Sequence, residues 1–346
     1  MNQDMKNKIK VLITGAGGHI GQELIKQITK PRYKNVEVHL FDLNTPKNRE
    51  YFDRYLGQVV PHFGDITNPE TYGDAVKGVD LVLHLASIIP PLAHKKPALA
   101  YNVNVFGTTQ LVRALEQYSP EAMIVMASSV AVYGDRLLNP LISTTDPLQP
   151  SEGDNYGETK VEMEAIIQSS SLRWSIYRLA AIMGAGNHNS PEMMFDVPLE
   201  QIIEICTPQD TARALLHTID HMDEVEGRIF NLGGGKACTT TFQDFLQKNF
   251  EIYGLGALDF PQNAFATKNF HCGYYTDGDE LNDILHFRHD TLEDYYETLR
   301  KSVPSIQRWL TKGVARIAKD YLLSKSKPYQ AWLTQDEEAL QHFFRS

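Results

Sequence analysis

The sequence predicts an α/β protein: a doubly wound parallel sheet with a smaller C-terminal substrate-binding region. Three observations carry that reading. Short apolar runs rich in Val, Ile and Leu recur from residue 9 onward, separated by stretches of helical periodicity, as strands buried on both faces of a parallel sheet require. The first run, Val11-Leu12-Ile13-Thr14, passes directly into Gly15-Ala16-Gly17-Gly18-His19-Ile20-Gly21. A second run, Val36-Glu37-Val38-His39-Leu40-Phe41, ends in Asp42, about twenty residues after Gly21.

The glycines turn the chain tightly into a helix that starts near His19. Gly15, Gly17 and Gly18 permit torsions and close approaches that a Cβ would block, and Gly21 lets the helix lie near its strand. The first N–H groups of that helix, at His19 and Ile20, together with its positive dipole end, suit a pyrophosphate. Asp42 then stands where a carboxylate accepts hydrogen bonds from an adenosine ribose. Its charge repels a 2′-phosphate, so NAD is expected over NADP; Lys47 and Arg49 are the nearby residues that argue the other way.

Further along, Asp65 and Ile66 follow a short strand around Val59-Val60. Asp65 either reaches the adenine end of the dinucleotide or caps the turn at Asn68-Pro69. Leu81-Val82-Leu83-His84-Leu85-Ala86-Ser87 is the next buried strand; Leu85 and the small Ala86 and Ser87 at its end leave room for the cofactor. Ile88-Ile89-Pro90-Pro91 makes a stiff apolar wall. A helix of about twenty residues follows Pro97 and carries Asn104 and Gly107. Met123-Ile124-Val125-Met126-Ala127 is a fifth strand leading into Ser128-Ser129, residues 135–155 read as an irregular loop over the site, and a helix carrying Tyr156 and Lys160 precedes a sixth strand, Trp174-Ser175-Ile176-Tyr177-Arg178-Leu179.

The later chain is less regular. Arg228-Ile229-Phe230-Asn231-Leu232 reads as a strand closed by a plain turn at Gly233-Gly234-Gly235, since no Lys-Ser/Thr follows to make a second phosphate loop. Beyond Pro304 a strong helical pattern places Ile306, Trp309, Leu310, Val314, Ile317, Tyr321 and Leu322 on one face, with Lys312, Arg316 and Lys319 elsewhere. Exposed, such a stripe forgoes several kcal/mol at about 25 cal/mol per Å², so packing on its own subunit or across a dimer is expected rather than contact with lipid. Thr334 and Glu337 resemble a capping box for a last helix carrying Leu340, Phe343 and Phe344. The expected organisation is a nucleotide-binding domain over 8–180, a substrate-binding region over 181–302 interleaved with the last sheet elements, and a helical extension over 303–346.

Composition bounds the partners. The 33 basic and 43 acidic residues give a net charge of −10, which argues against non-specific nucleic-acid binding. No apolar run approaches the roughly twenty residues of a membrane span, and the polar start lacks a signal-peptide core, so a cytoplasmic protein is expected. Cys206, Cys238 and Cys272 are too few and scattered for a disulfide framework or a zinc site, so no metal is expected. A small-molecule substrate is the expected partner, and a homodimer is left open.

Tyr156 and Lys160 lie four residues apart on one helix face. A free phenol titrates near 10 and is a poor base at neutral pH; a neighbouring ammonium, and the cationic ring of oxidised NAD, favour the phenolate. Ser129, at the end of a neighbouring strand, can hydrogen-bond a substrate oxygen. Together these three make a proton-transfer device beside a hydride acceptor.

As an ordered set these features resemble the extended short-chain dehydrogenase/reductases, the superfamily of nucleotide-sugar epimerases, dehydratases and related oxidoreductases with a Rossmann domain. The match runs over about residues 8–300. It takes in Gly15, Gly18 and Gly21; Asp42; Asp65; Leu85-Ala86; Asn104-Val105-Phe106-Gly107-Thr108; Ser128-Ser129 before Val132-Tyr133-Gly134; Tyr156 with Lys160; Arg178-Leu179-Ala180-Ala181; Phe230-Asn231-Leu232-Gly233; and Phe287-Arg288-His289 before Thr291-Leu292. The resemblance implies catalytic roles for Ser129, Tyr156 and Lys160, with Lys160 also holding the nicotinamide ribose.

Departures narrow the chemistry. Sugar 4,6-dehydratases carry an Asp-Glu pair where this chain has Val130 and Ala131, which cannot titrate, so that dehydration is not expected. Only about thirty residues separate Arg178 from Asp210, and they are apolar and acidic (Met193-Met194-Phe195-Asp196, Leu199-Glu200), poor company for a nucleotide diphosphate. The alternative is that this segment is core and that Arg136, Lys236 or Lys268 supplies phosphate-binding charge. The expected function is an NAD-dependent oxidoreductase interconverting a secondary alcohol and a ketone on an apolar or modestly polar small molecule. A nucleotide-sugar epimerase with tightly held NAD is the runner-up, and a non-catalytic NAD-binding sensor or scaffold the third reading.

Overall fold

In the computed structural model, which describes residues 8–186 and 191–344, β1 (Ile9–Thr14) turns through the glycine loop into α1 (His19–Ile28), and β2 (Val36–Asp42) returns beside it. Helix α2 (Pro46–Asp53) leads to β3 (Val60–Phe63), and the chain then crosses back to β4 (Leu81–His84). Three helices follow: α3 (Leu92–Lys95), α4 (Pro97–Tyr101) and α5 (Gly107–Tyr118). The last two are joined without a break by a π-helical stretch, Asn102–Phe106. After β5 (Met123–Ser129) come the two-residue strand β6 (Leu141–Ile142), inside a segment expected to be irregular, then α6 (Asn155–Ser169) and β7 (Arg173–Leu179).

The second half alternates shorter pieces. They are β8 (Ala181–Ile182), α7 (Pro191–Met194), β9 (Ile202–Cys206), α8 (Pro208–His217), α9 (Met222–Val225) and β10 (Arg228–Leu232). Next come β11 (Thr239–Thr241), α10 (Phe242–Tyr253), β12 (Tyr274–Tyr275), α11 (Gly278–Leu285) and α12 (Leu292–Ser302). The chain closes with α13 (Ser305–Leu323), α14 (Lys327–Thr334) and α15 (Glu337–Phe343).

Seven strands form one parallel sheet in the order β10-β7-β5-β4-β1-β2-β3. Strand order reverses between β1 and β4, and an open sheet binds its ligand at the carboxyl ends beside such a reversal. Register brings those ends level, Thr14 opposite both Phe41 and His84. Successive residues of β1 serve opposite faces. Val11 and Ile13 pack with Leu24 and Ile25 of α1 and Leu215 of α8, while Leu12 packs with Leu111 and Leu115 of α5 and Met163 and Ile167 of α6. Burial on both faces explains why the strands read as unbroken apolar runs.

A separate core gathers Phe195, Phe245, Phe250, Phe265, Tyr295, Leu299 and Val303. Phe195 meets Phe265 and Phe260 with ring centroids 5.0 and 5.2 Å apart. That side chain is therefore core, although the sequence reading also offered its segment as pocket lining.

Two expectations about the C-terminal helices are corrected. Of the two packings expected for the α13 stripe, the described residues of its own subunit do not supply one: Ile306, Trp309, Leu310, Val314, Ile317 and Tyr321 are all exposed, Trp309 by 69% and Ile317 by 71%. The helix rests on the body through another face. There Leu322, expected within the stripe, packs against the second core, Lys319 pairs with Asp259, and Gly254 sits close under the Arg308 carbonyl. The last helix is capped by Asp336, whose carboxylate accepts from the Ala339 N–H, and not by Thr334, whose hydroxyl donates back to the Gln330 carbonyl. Among the described residues no helix is long and apolar enough to cross a membrane. Cys206, Cys238 and Cys272 are free and buried.

Candidate active site

The glycine loop is held by contacts a side chain would break. Gly15 has φ +70°, and a Cβ there would lie 2.7 Å from the Ala86 nitrogen; one on Gly21 would lie 2.6 Å from the carbonyl oxygens of Gly15 and Ala16. The loop thus leans on the end of β4 while α1 lies against β1. Gly18 precedes α1 with no side-chain cap, so the first N–H groups of the helix, at His19 and Ile20, have no capping side chain. Asp42 faces this turn: one carboxylate oxygen accepts from the Gly17 N–H at 2.7 Å and the other from the Leu43 N–H at 2.7 Å. Asn48 of α2 fills the space behind Gly17 and donates to the Leu43 carbonyl.

At the neighbouring strand ends, Leu85 and Ala86 bond to Thr14 of β1 through their N–H groups, and the buried Ser87 hydroxyl meets no partner among the described residues. Asp65 turns into its own loop, accepting from the Thr67 N–H and hydroxyl at 2.9 and 2.8 Å. It does not cap the next turn; Asn68 does, accepting from the Glu70 N–H. Ile66 is buried against the position that Gly107 leaves open. Asn104 sits in the π-helical stretch with its amide fully engaged: Oδ1 accepts from the Ile88 N–H, and Nδ2 donates to the Ile88 carbonyl and to the Thr159 hydroxyl. It ties the wall after β4 to α6, one residue from Lys160. An uncapped helix start, a loop only glycines can form, an adjacent carboxylate and an orphaned hydroxyl together fit a dinucleotide.

Ser129 ends β5, and its hydroxyl accepts from the Ala131 N–H at 3.2 Å. It also hydrogen-bonds Tyr156, whose phenol burial pushes well above the ordinary value. Lys160 is buried, donates to the Ala127 carbonyl at 2.8 Å, and lies 5.7 Å from the Tyr156 ring centroid. Burial pulls its amine down to about 7, against the upward pull of Glu164. The trio therefore shares one pocket wall, with Ser129 and Tyr156 in contact and Lys160 tethered to the strand below them. Buried His84, pulled down to about 3 by burial and then by Lys160, is neutral and spans Thr14 and Thr108.

Sequence reasoning gave no role to the groups that hold this wall. Asp154 caps α6, accepting from the Gly157 N–H at 3.0 Å, and lies 3.5 Å from His271. Burial works against its charge, yet His271 and the Gly157 N–H hold it below the usual carboxylate range. One turn past Lys160, Glu164 accepts from the Ser128 hydroxyl and from Arg178 Nε and Nη2, the latter at 2.7 Å. Arg178 donates onward to the Tyr133 hydroxyl, which donates to Asn231, which in turn donates to Asp277. Arg178 and Asn231 stood in the matched motifs; the helix-cap position of Asp154, two residues ahead of Tyr156, was the signal available for the third. Val130 and Ala131 are buried in the turn after β5. Arg136 is paired with Asp146 at 2.9 Å.

Sheet order, glycine loop and the wall around Tyr156 define a Rossmann fold of the extended short-chain dehydrogenase/reductase type. The model of the NAD dependent epimerase/dehydratase family matches residues 11–233, and the chain belongs to that family. It is 31% identical over 198 residues to a 3-beta-hydroxysteroid dehydrogenase of Mycolicibacterium neoaurum, covering 54% of this chain and 51% of that one. To a decarboxylating sterol-4-alpha-carboxylate 3-dehydrogenase of Schizosaccharomyces pombe it is 26% identical, covering 54% of each. To a UDP-glucose 4-epimerase of Lactobacillus helveticus it is 28% identical, covering 53% and 54%. The chain thus spans about half the length of the curated relatives it matches. Among solved structures, the fold matches a UDP-glucuronic acid 4-epimerase of Bacillus cereus in complex with UDP-glucuronic acid and NAD, with TM-score 0.68 and 20% identity over 84% of this chain and 99% of that one. A short-chain dehydrogenase/reductase superfamily protein of Agrobacterium tumefaciens with bound NAD gives TM-score 0.64 and 21% identity over 88% and 99%.

Proposed function

We propose that this enzyme interconverts a secondary alcohol and a ketone on a small, apolar or modestly polar substrate, with Ser129, Tyr156 and Lys160 as its catalytic residues. The observation that carries the reading is the buried contact of Ser129 with Tyr156 beside Lys160, level with the glycine loop at the carboxyl edge of the sheet. NAD would supply the hydride acceptor, and the residues that would hold it are His19 and Ile20 at the α1 N-terminus, Gly15, Gly17 and Gly18, Asp42 toward the ribose, and Asp65, Ile66, Leu85, Ala86 and Ser87 along its length; Asn104, its amide spent on Ile88 and Thr159, positions the wall behind them.

The chain's own work is to place a proton. Tyr156 is half-buried, and desolvation of its hydroxyl keeps the phenol protonated, which suits donation to a carbonyl oxygen in the reducing direction. In the oxidising direction the phenol must first lose its proton. An ammonium on Lys160 favours the phenolate, and an amine titrating near 7 reaches that charge within the working pH range. Ser129 donates to the substrate oxygen and fixes it against the phenol. The Asp154 cap and the Glu164–Arg178 pair hold α6 so that the two groups stay in register with Ser129.

The substrate preference rests on what the site and the second core lack. Val130 and Ala131 leave no acid–base pair for dehydration, Arg136 is already paired, and the second core absorbs Phe195. Of the curated relatives named above, one is by name a 3-beta-hydroxysteroid dehydrogenase and one a sterol-4-alpha-carboxylate 3-dehydrogenase. Incubation with NAD and a 3β-hydroxysteroid is expected to release NADH continuously, and UDP-glucose to give neither NADH nor UDP-galactose. The epimerase of Lactobacillus helveticus supports the second reading, in which NAD stays bound and UDP-glucose is epimerised with no net NADH; that outcome replaces the proposal.

A further inference from the structure

The outward face of α13 is apolar and continuous, it has no partner among the described residues, and the charges around it point to what covers it. At 3.6 residues per turn, Trp309, Gly313, Ile306, Ile317, Leu310, Tyr321 and Val314 fill an arc of about 140°. The side chains that touch the body, Lys319 and Leu322, lie on the other side of the helix. Ile306, Ile317 and Leu310 occupy the middle of the arc, with Trp309 at one border and Tyr321 beside Val314 at the other. Next to Trp309 the helix surface continues into Arg316 and Lys312. Residues 300–327 hold eight lysines and arginines against the single acid Asp320; Arg300, Lys301 and Lys319 pair with Glu293, Glu297 and Asp259, and Arg316 with Asp320, which leaves +4 on this segment in a chain of −10.

We propose that α13 is an interfacial helix that seats this enzyme on an anionic lipid surface, its apolar arc in the headgroup boundary and its cations on the lipid phosphates. A surface helix with an apolar face carrying Trp and Leu and a basic flank has the build for that position. The same charge count argues against a second copy: a two-fold contact through this face would set one +4 segment against another. It equally turns the acidic body away from the bilayer, so the molecule approaches with one orientation. The helix is too short in apolar length to span the membrane, and among the described residues its ends continue into α12 and α14 on the protein side.

The proposal is tested on the full chain without turnover, so its failure is distinct from failure of the redox reading. Co-sedimentation with phosphatidylcholine vesicles, with and without phosphatidylserine, is measured at physiological salt, beside light scattering of the free protein. Wild-type protein is expected to bind the phosphatidylserine vesicles at least tenfold more tightly than the neutral ones. Each cation at such a surface contributes about fivefold, so Lys312→Gln with Arg316→Gln is expected to weaken binding about 25-fold. Trp309→Glu with Ile317→Glu, both highly exposed and hence compatible with folding, is expected to abolish binding without lowering the melting temperature. Absence of wild-type binding, or binding unchanged in both double variants, overturns the proposal. So does conversion of a wild-type dimer to a monomer by Trp309→Glu and Ile317→Glu, which assigns the face to a second copy.

Discussion

Replacing Lys160 by Met is expected to stabilise the cofactor-free protein while removing its activity. Lys160 is buried, its amine is pulled from 10.5 down to about 7 by burial, and its hydrogen bond goes to one backbone carbonyl. The unfolded chain therefore binds one more proton than the folded one between about pH 7 and 10.5, and stability rises with pH across that window. At about 1.4 kcal/mol per pH unit, keeping the amine neutral costs the folded state about 4 kcal/mol at pH 7. Methionine fills a similar volume without that cost, and loses a hydrogen bond with a net contribution of about 1 kcal/mol. The difference, about 3 kcal/mol, raises the melting temperature by about 4 °C in a chain of this length, since unfolding entropy scales with residue number. At pH 9.5, one unit below the unfolded value, the cost has fallen to about 1.4 kcal/mol, which the lost hydrogen bond of about 1 kcal/mol nearly cancels, and the gain shrinks to nearly nothing. Thermal melts of both proteins at the two pH values check this. A variant less stable at pH 7, or equally stabilised at both pH values, refutes the account of Lys160 as a destabilising group held for function.

Three further outcomes are expected. NADH titration should give a dissociation constant at least about tenfold below that for NADPH, a difference of about 1.4 kcal/mol, if the Asp42 carboxylate beside the glycine loop takes the ribose as proposed; equal affinities would move the assignment to Lys47 or Arg49. Glu164→Ala strands the Arg178 charge and should cost about 3–5 kcal/mol, a fall of about 4–7 °C by calorimetry, most of it recovered in Glu164→Leu with Arg178→Met. Gly21→Val puts carbon where two carbonyl oxygens lie 2.6 Å away, so α1 must move off β1, and NADH affinity measured by fluorescence should drop at least about tenfold.

The sheet was legible because a strand buried on both faces has no choice of residue type: Val11 to Ile13, Leu81 to Leu83 and Met123 to Met126 are apolar throughout. The cofactor loop was legible because its geometry admits only glycine at fixed spacing. What stayed hidden depends on contacts between elements. Glu164 and Arg178 lie on a helix and the following strand, and nothing in their spacing says that one buries the other's charge. Helical periodicity found the apolar stripe of α13 but assigned Leu322 to it and turned it inward, since periodicity records that a face exists and not which face docks. Phe195 read equally as pocket or core, and the aromatic partners that decide it, Phe260 and Phe265, come about seventy residues later.

The central claim is that Tyr156 moves the substrate proton at a site where NAD is held by other groups. Steady-state turnover and NADH affinity of Tyr156→Phe, measured on the same preparation, test it most directly. The account predicts that kcat falls by about 10²–10⁴-fold while the NADH dissociation constant stays within about twofold of wild type. Retention of more than about a tenth of wild-type turnover, or a loss of turnover matched by a loss of NADH binding, would contradict it.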